Sequence, residues 1–200
     1  MTQAQKTHRL AVAAMLTAVA AVLQFVEFAI PLMPSFIKLD ISDLPALLGT
    51  FSLGPVYGVA IQLAKNLLHL PFGSSAGVGE LSNFILGAVF VFVAGIIYKH
   101  NKSRKSALVG SVAGAAAMAL VSIVTNYFIV YPAYVVLYKL PLEAIVGMYE
   151  AILGGVSHVP TQNALLNCLL VFNVPFTLVK GLLDTALCFL IYKPLSPLLH

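Results

Sequence analysis

Residues 106–138 read SALVGSVAGAAAMALVSIVTNYFIVYPAYVVLY, with no Asp, Glu, Lys or Arg from end to end. A helix rises about 1.5 Å per residue, so roughly 20 apolar residues cross the ~30 Å hydrocarbon layer, and this run is longer than that. Four further stretches, 10–26, 44–64, 81–98 and 151–179, are equally free of charge. The 200-residue chain is 60% apolar and 9% charged, whereas a soluble domain carries about 25% charged residues and cannot hide this much apolar surface in one core. Apolar and polar positions do not alternate with period two, which excludes barrel strands. The sequence therefore specifies an all-α integral membrane protein.

Around this run, six helices fit as one membrane domain over residues 1–200: 10–30, 44–53, 55–70, 80–98, 106–131 and 175–192. Pro31 and Pro34 are positioned to close the first. Gly54-Pro55 divides the second from the third, glycine allowing the turn and proline suiting the first helical position. Asn173 is placed to cap the last. Lys6 and Arg9 precede an apolar run that ends at Glu27 without a small-residue cleavage site, which reads as a retained span rather than a signal peptide.

The 11 basic residues give a net charge of +4, too sparse and too confined to helix ends for a nucleic-acid surface. They fit the positive-inside rule. With both termini cytoplasmic in a multi-pass cell-membrane protein, the inner side holds Lys6, Arg9, Lys99, Lys102, Arg104, Lys105 and Lys193, and the outer loops hold Lys38 and Lys139. Glu27, Asp40, Asp43, Glu80, Glu143 and Glu150 then lie at or near the outer face. Cys168 and Cys188 sit apart in apolar sequence and read as unpaired core cysteines.

No phosphate-cradling GxxxxGK[ST], HExxH or GxSxG is present, and the five histidines are scattered, so neither nucleotide binding, metal ligation nor hydrolysis has a motif behind it. No long internal repeat supports a self-contained alternating-access carrier. Polar residues within spans carry more information, because hydrocarbon makes them costly and they face a cavity or the bundle interior. Lys65, Asn66, Glu80, Asn83, Asn126, Thr177 and Lys180 all map to one side of the membrane. They describe either a pocket open to the outside or a set of snorkelling and interhelical contacts that only hold the bundle. Lys180 and Asp184 are four residues apart on one helical face, a spacing that also suits a structural ion pair. Ala11, Ala14 and Ala18 form a small-residue stripe on the first helix that either packs internally or meets a partner subunit. Gly54-x-x-x-Gly58 and Gly110-x-x-x-Gly114 permit similar close approach.

The stretch at 38–69, KLDISDLPALLGTFSLGPVYGVAIQLAKNLLH, resembles the characteristic block of riboflavin-specific S components of energy-coupling factor (ECF) transporters. The resemblance continues in GELSNFILG at 79–87, TNYFIVYPAY at 125–134 and VPFTLVKG at 174–181. It implies a membrane-embedded subunit that captures riboflavin outside and works with a transmembrane coupling subunit and two cytoplasmic ATPases. In such proteins the first loop, here 36–43, covers the pocket, and polar residues of the last two helices hold the flavin. The matching positions are Asn126 and Lys180, while Thr177 stands where the family often has asparagine. Asp184 is not part of the pattern.

Riboflavin would be the transported ligand, with no cofactor and no catalysis. An isoalloxazine ring needs an apolar slot and a few convergent groups at its imide edge: an asparagine amide both donates and accepts, and a lysine adds a charge-assisted donor. Asn83 belongs to the same polar set, Asp40 and Lys65 suit the ribityl hydroxyls, and Leu44, Leu47, Tyr131 and Phe176 suit the slot walls. Two other classes compete: a stand-alone carrier or channel relaying protons through Lys65, Glu80 and Asp184, and an intramembrane enzyme using the Glu80/His69 region as base.

Overall fold

The computed structural model describes residues 2–31, 33–34, 37–73, 75–152 and 163–199, with side chains described as far as residue 192. Ser35, Phe36, His158, His200 and the side chain of Lys193 thus lie outside the described residues.

Helix α1 runs Gln3–Gln24. Hydropathy alone starts it at residue 10 and ends it at the prolines; the helix begins earlier because polarity is no bar to helix formation. Thr2 and Gln5 form a reciprocal capping box, which satisfies two amides that an uncapped helix would leave open. It stops at Gln24 because the chain must turn into a short antiparallel hairpin, β1 (Phe28–Ala29) against β2 (Lys38–Leu39). The Arg9 guanidinium donates to the Leu53 carbonyl and lies over the Tyr57 ring.

Helices α2 (Asp43–Leu53) and α3 (Pro55–His69) form a tight pair. Gly54 has φ +112°, a conformation open to glycine and strained for other residues. At Gly58 a Cβ would sit 1.8 Å from Thr50 Oγ1, so this glycine spacing serves the α2–α3 turn. α4 (Val78–His100) packs against α5 (Arg104–Thr125). There a Cβ at Gly110 or Gly114 would lie 2.7 and 2.5 Å from the carbonyl oxygens of Ala94 and Phe90. That second glycine pair is internal as well.

The fifth and last spans depart most from expectation. α5 does not end near residue 131; it continues through a π-helical turn, Asn126–Val130, into α6 (Tyr131–Tyr138), making one helix of 35 residues. The last helix does not start at 175; it begins as α8 (Ala164–Cys168), passes through a second π turn, Leu169–Asn173, and becomes α9 (Val174–Leu199). Asn173 therefore caps nothing. Each π turn ends two residues before a proline, Pro132 or Pro175. Proline has no N–H for the carbonyl four residues back, and its ring pushes on that turn; a widened turn upstream relieves both.

Among the described residues, four helices are long and apolar enough to cross a membrane: Gln3–Gln24, Val78–His100, Arg104–Tyr138 and Ala164–Tyr192. At about 16 and 22 Å, α2 and α3 are each short of a full crossing, and α7 (Leu142–Ile152) adds an amphipathic helix packed on α8. The six-span count does not follow directly from these lengths. The main core joins Val12, Leu16 and Ala20 of α1 to α2, α4 and α5, with Cys188 at its α9 edge. A smaller core, Tyr131, Ile145, Tyr149 and Leu169, builds a shelf at one end. Both cysteines are free and buried. Ala11, Ala14 and Ala18 are all exposed on the face of α1 turned away from the bundle.

Candidate ligand-binding site

The site begins with where two aspartates are placed. The hairpin is held by the Lys38–Glu27 ion pair and delivers Asp40 immediately after β2. Asp40 Oδ1 accepts from the Ser42 N–H at 2.9 Å and from the Ser42 hydroxyl, and Oδ2 accepts from Lys180 Nζ at 2.8 Å. Asp43 opens α2 and accepts from Lys65 Nζ at 2.5 Å and Gln62 Nε2 at 2.9 Å. Its other oxygen lies 3.4 Å from Lys180 Nζ. Lys180 also donates to Asn83 Oδ1 on α4 at 3.3 Å. One buried network thus ties the hairpin, α2, α3, α4 and α9. Burial raises the Asp40 carboxyl, but the neighbouring Lys180 and Lys65 ammoniums outweigh it and hold the group below its ordinary 3.8.

Above this network lies a cavity of about 310 Å³, at the lower end of the range for small-molecule pockets. Asp40, Asn83, Asn126, Tyr131, Thr177 and Lys180 all line it. Leu44 does not, being packed in the main core, and neither does Lys65, which is fully buried behind Asp43 and Ser42. Lys65 is therefore a support for the floor rather than a wall. The helical spacing of Lys180 and Asp184 does not produce their pairing either, since Lys180 turns to Asp40, 140 residues away in sequence. The acids Glu27, Asp40, Asp43 and Glu80 meet around this one cavity.

Several lining residues carry no obvious signal in the sequence. Asn173 donates to the Tyr131 hydroxyl at 3.2 Å and accepts from Tyr149 at 2.6 Å, while the two phenols bond each other. This locks the shelf beside the pocket. Burial and the Tyr131 hydroxyl push the Tyr149 phenol well above its usual range, so it remains a donor. Met118, Val130 and Tyr134 supply further apolar and aromatic wall beside Tyr131 and Phe176, the two expected from the sequence. At the rim His69 Nδ1 lies 2.9 Å from Glu80, whose other oxygen accepts from Ser75 at 2.7 Å, and the His69 ring packs on Phe25. These contacts hold the glycine-rich turn at 75–79 against the rim. The signal for Asn173 lay in the proline two residues on, which sets the π turn.

Chemically the cavity offers an aromatic slot and neutral amides, while its two ammoniums, Lys38 and Lys180, and its four carboxylates, Glu27, Asp40, Asp43 and Glu80, are engaged with protein partners. Among the described residues no cluster of His, Cys, Asp and Glu could hold a metal ion. This is the chemistry of binding an uncharged polar ring system.

The sequence model for "ECF transporter, substrate-specific component" matches residues 8–192. The chain belongs to this family. It is 34% identical to "Riboflavin transporter RibU" of Staphylococcus aureus (strain TCH60), an alignment covering 96% of this chain and 92% of that protein. It is 31% identical to "Riboflavin transporter FmnP" of Bacillus subtilis (strain 168), covering 96% and 94%. A solved structure described as "Structure and mechanism of the S component of a bacterial ECF transporter" superposes with a TM-score of 0.73 at 34% identity, covering 97% of this chain and 98% of that one. The S component described here is thus a membrane protein of a transporter family and not an enzyme, and the missing catalytic motifs accord with that.

Proposed function

We propose that this S component is the riboflavin-binding subunit of an ATP-driven ECF vitamin uptake transporter. It captures riboflavin from outside the cell and releases it inward with a coupling module of one transmembrane subunit and two cytoplasmic ATPases. The observation that carries this reading is the cavity itself, where Asn126 of the fifth span and Lys180 of the last converge beside Tyr131 and Phe176. An isoalloxazine ring fits between aromatic and apolar walls, with the Asn126 amide donating to an imide carbonyl and accepting from the ring N–H. Lys180 donates to a carbonyl oxygen. Asp40, Asn83 and Thr177 face the same space and suit the ribityl hydroxyls, with Leu44 and Lys65 acting from behind the wall.

In this reading the chain acts as one domain of six helices in the membrane. The short α2–α3 pair enters from the cavity side, both termini are cytoplasmic, and the pocket opens outward. The exposed Ala11, Ala14 and Ala18 face is the surface for the coupling subunit, since small side chains let helix backbones approach closely. Family membership does not favour the alternative of a stand-alone proton-coupled carrier.

The test is the absorption spectrum of the purified protein followed by riboflavin titration without ATP. Flavin copurifies or binds stoichiometrically, and Asn126→Ala and Lys180→Ala each weaken binding by about 1–3 kcal/mol, or roughly 5- to 150-fold in Kd, through lost buried hydrogen bonds. Wild-type protein that binds no flavin overturns the ligand. Two variants with unchanged affinity overturn the site.

A further inference from the structure

Asp184 is fully buried on α9, and among the described residues neither of its carboxylate oxygens has a hydrogen-bond partner. A buried carboxylate without partners is costly and calls for a reason. Its electrostatic neighbours are Asp43, Lys180, Asp40 and Lys65, so three acids share two ammoniums. Lys65 is taken by Asp43 and Ser42. Lys180 has three N–H donors, and three oxygens already surround it: Asp40 at 2.8 Å, Asn83 at 3.3 Å and Asp43 at 3.4 Å. A ligand carbonyl reaches this ammonium only if one of them yields. Asn83 and Asp43 belong to packed helices, whereas Asp40 follows a two-residue strand of the hairpin, so Asp40 is the partner free to leave. Its departure strips Lys180 of its shortest ionic contact deep in the bundle. Asp184 lies one helical turn further along α9, on the same face.

We propose that Asp184 is a positioning residue for ligand capture, the stand-by counter-ion that takes over Lys180 when Asp40 gives way to the ligand. The proposal rests on the flavin-binding reading for its ligand, but the exchange itself is testable without any ligand. Asp184→Asn removes the charge and keeps the shape. In the resting protein, where Asp184 accepts no hydrogen bond, this change leaves the Tm unchanged or raises it. Asp40→Asn costs a modest amount, because Lys180 falls back on Asp184. The D40N/D184N double variant leaves Lys180 only the aspartate that Lys65 already uses, so its Tm falls at least about 3 °C beyond the sum of the single changes.

Adding Lys180→Met removes the charge that needs a partner, and this triple variant recovers the loss. A double variant that does not fold, while both single variants and the triple do, shows the same coupling at its extreme. Additive single effects, or a triple variant as damaged as the double, overturn the proposal. The ligand arm titrates riboflavin: D184N weakens binding about fivefold or more in the Lys180 protein and has no effect beside Lys180→Met. Equal affinity of D184N and wild type also overturns it. Wild type that binds no flavin, with the Tm coupling present, overturns the riboflavin reading and leaves the counter-ion exchange standing.

Discussion

Replacing Lys65 with methionine should destabilise this protein severely while touching no cavity wall. Lys65 is fully buried, and its ammonium is 2.5 Å from Asp43 Oδ1 and 2.5 Å from Ser42 Oγ. Methionine fills nearly the same volume, so the loss is electrostatic. Breaking a buried pair by removing one partner costs about 3–5 kcal/mol, because the remaining charge stays desolvated. Asp43 keeps the Gln62 amide at 2.9 Å and Lys180 at 3.4 Å, which places the expected loss near the lower figure. For a chain of this length, about 3 kcal/mol corresponds to a Tm drop of roughly 6–12 °C.

The sequence has no tryptophan, but Cys168 and Cys188 are free and buried. A thiol-reactive dye therefore reports unfolding in detergent as both become accessible. Asp43→Asn combined with Lys65→Met removes both charges and recovers most of the loss. Riboflavin affinity of Lys65→Met, measured well below its Tm, falls less than that of Lys180→Ala, whose ammonium lines the cavity. A Tm within about 2 °C of wild type would refute the claim that this pair holds the floor.

Ala14→Leu and Ala18→Leu enlarge residues exposed on the outward face of α1. They abolish ATP-driven uptake in vesicles carrying the whole transporter and leave flavin binding intact, whereas equal loss of both marks the stripe as internal packing. Gly114→Leu forces a side chain into the 2.5 Å approach to the Phe90 carbonyl, and the Tm falls by at least about 4 °C in the thiol-dye assay. Asp40 has a folded pKa below 3.8, so the stability it contributes is complete above its unfolded pKa and is lost as pH falls through the folded value. Stability therefore owes nothing to Asp40 titration between pH 5 and 8. Below about pH 4 the wild type loses stability faster than Asp40→Asn, and parallel acid limbs for the two proteins refute this.

What could be read from the chain followed from terms that local sequence carries. Hydrocarbon does not tolerate charge, so the apolar runs showed the class, and Gly54-Pro55 marked a turn that only particular backbone angles allow. The cluster of Asp40, Asn83, Asn126, Thr177 and Lys180 around one cavity was legible because each is a polar residue in or beside an apolar span. What could not be read depends on contacts between distant segments. The four-residue spacing of Lys180 and Asp184 favours a pair, yet a loop aspartate from the first third of the chain outcompetes it. As a polar residue in an apolar helix Lys65 suits a ligand hydroxyl, but the packing of α2 on α3 encloses it. The polarity of Gln3 to Arg9 hides the start of α1 from hydropathy, although Thr2 and Gln5 carry the capping-box spacing.

The π turn at Asn126–Val130 explains how one helix serves both core and pocket, and it leads to a last prediction. Successive residues of an α-helix are turned by a fixed fraction of the circle, 3.6 to the turn. Counted that way from Met118, an uninterrupted helix would point Asn126 and Val130 to one flank, and would carry Tyr134 and then Tyr131 progressively round to the opposite side. The set would spread over more than half of the circumference. A π turn absorbs one extra residue and turns everything after it back by up to about one residue's step. Tyr131 then comes round to the direction that Val130 would have held, and Tyr134 falls between Met118 and Asn126. All five residues do line the cavity. The widened turn is favoured by Pro132, so Pro132→Ala relaxes the segment toward a regular helix and swings both tyrosines off the wall. Helix stability does not suffer, because alanine restores a backbone donor. Riboflavin affinity then falls by about 5-fold or more, the cost of at least one misplaced buried polar contact, and the Tm falls as well, because the Tyr131 hydroxyl loses its bonds to Tyr149 and Asn173. A Pro132→Ala protein that binds flavin as tightly as wild type shows that the register of the tyrosines does not depend on the proline.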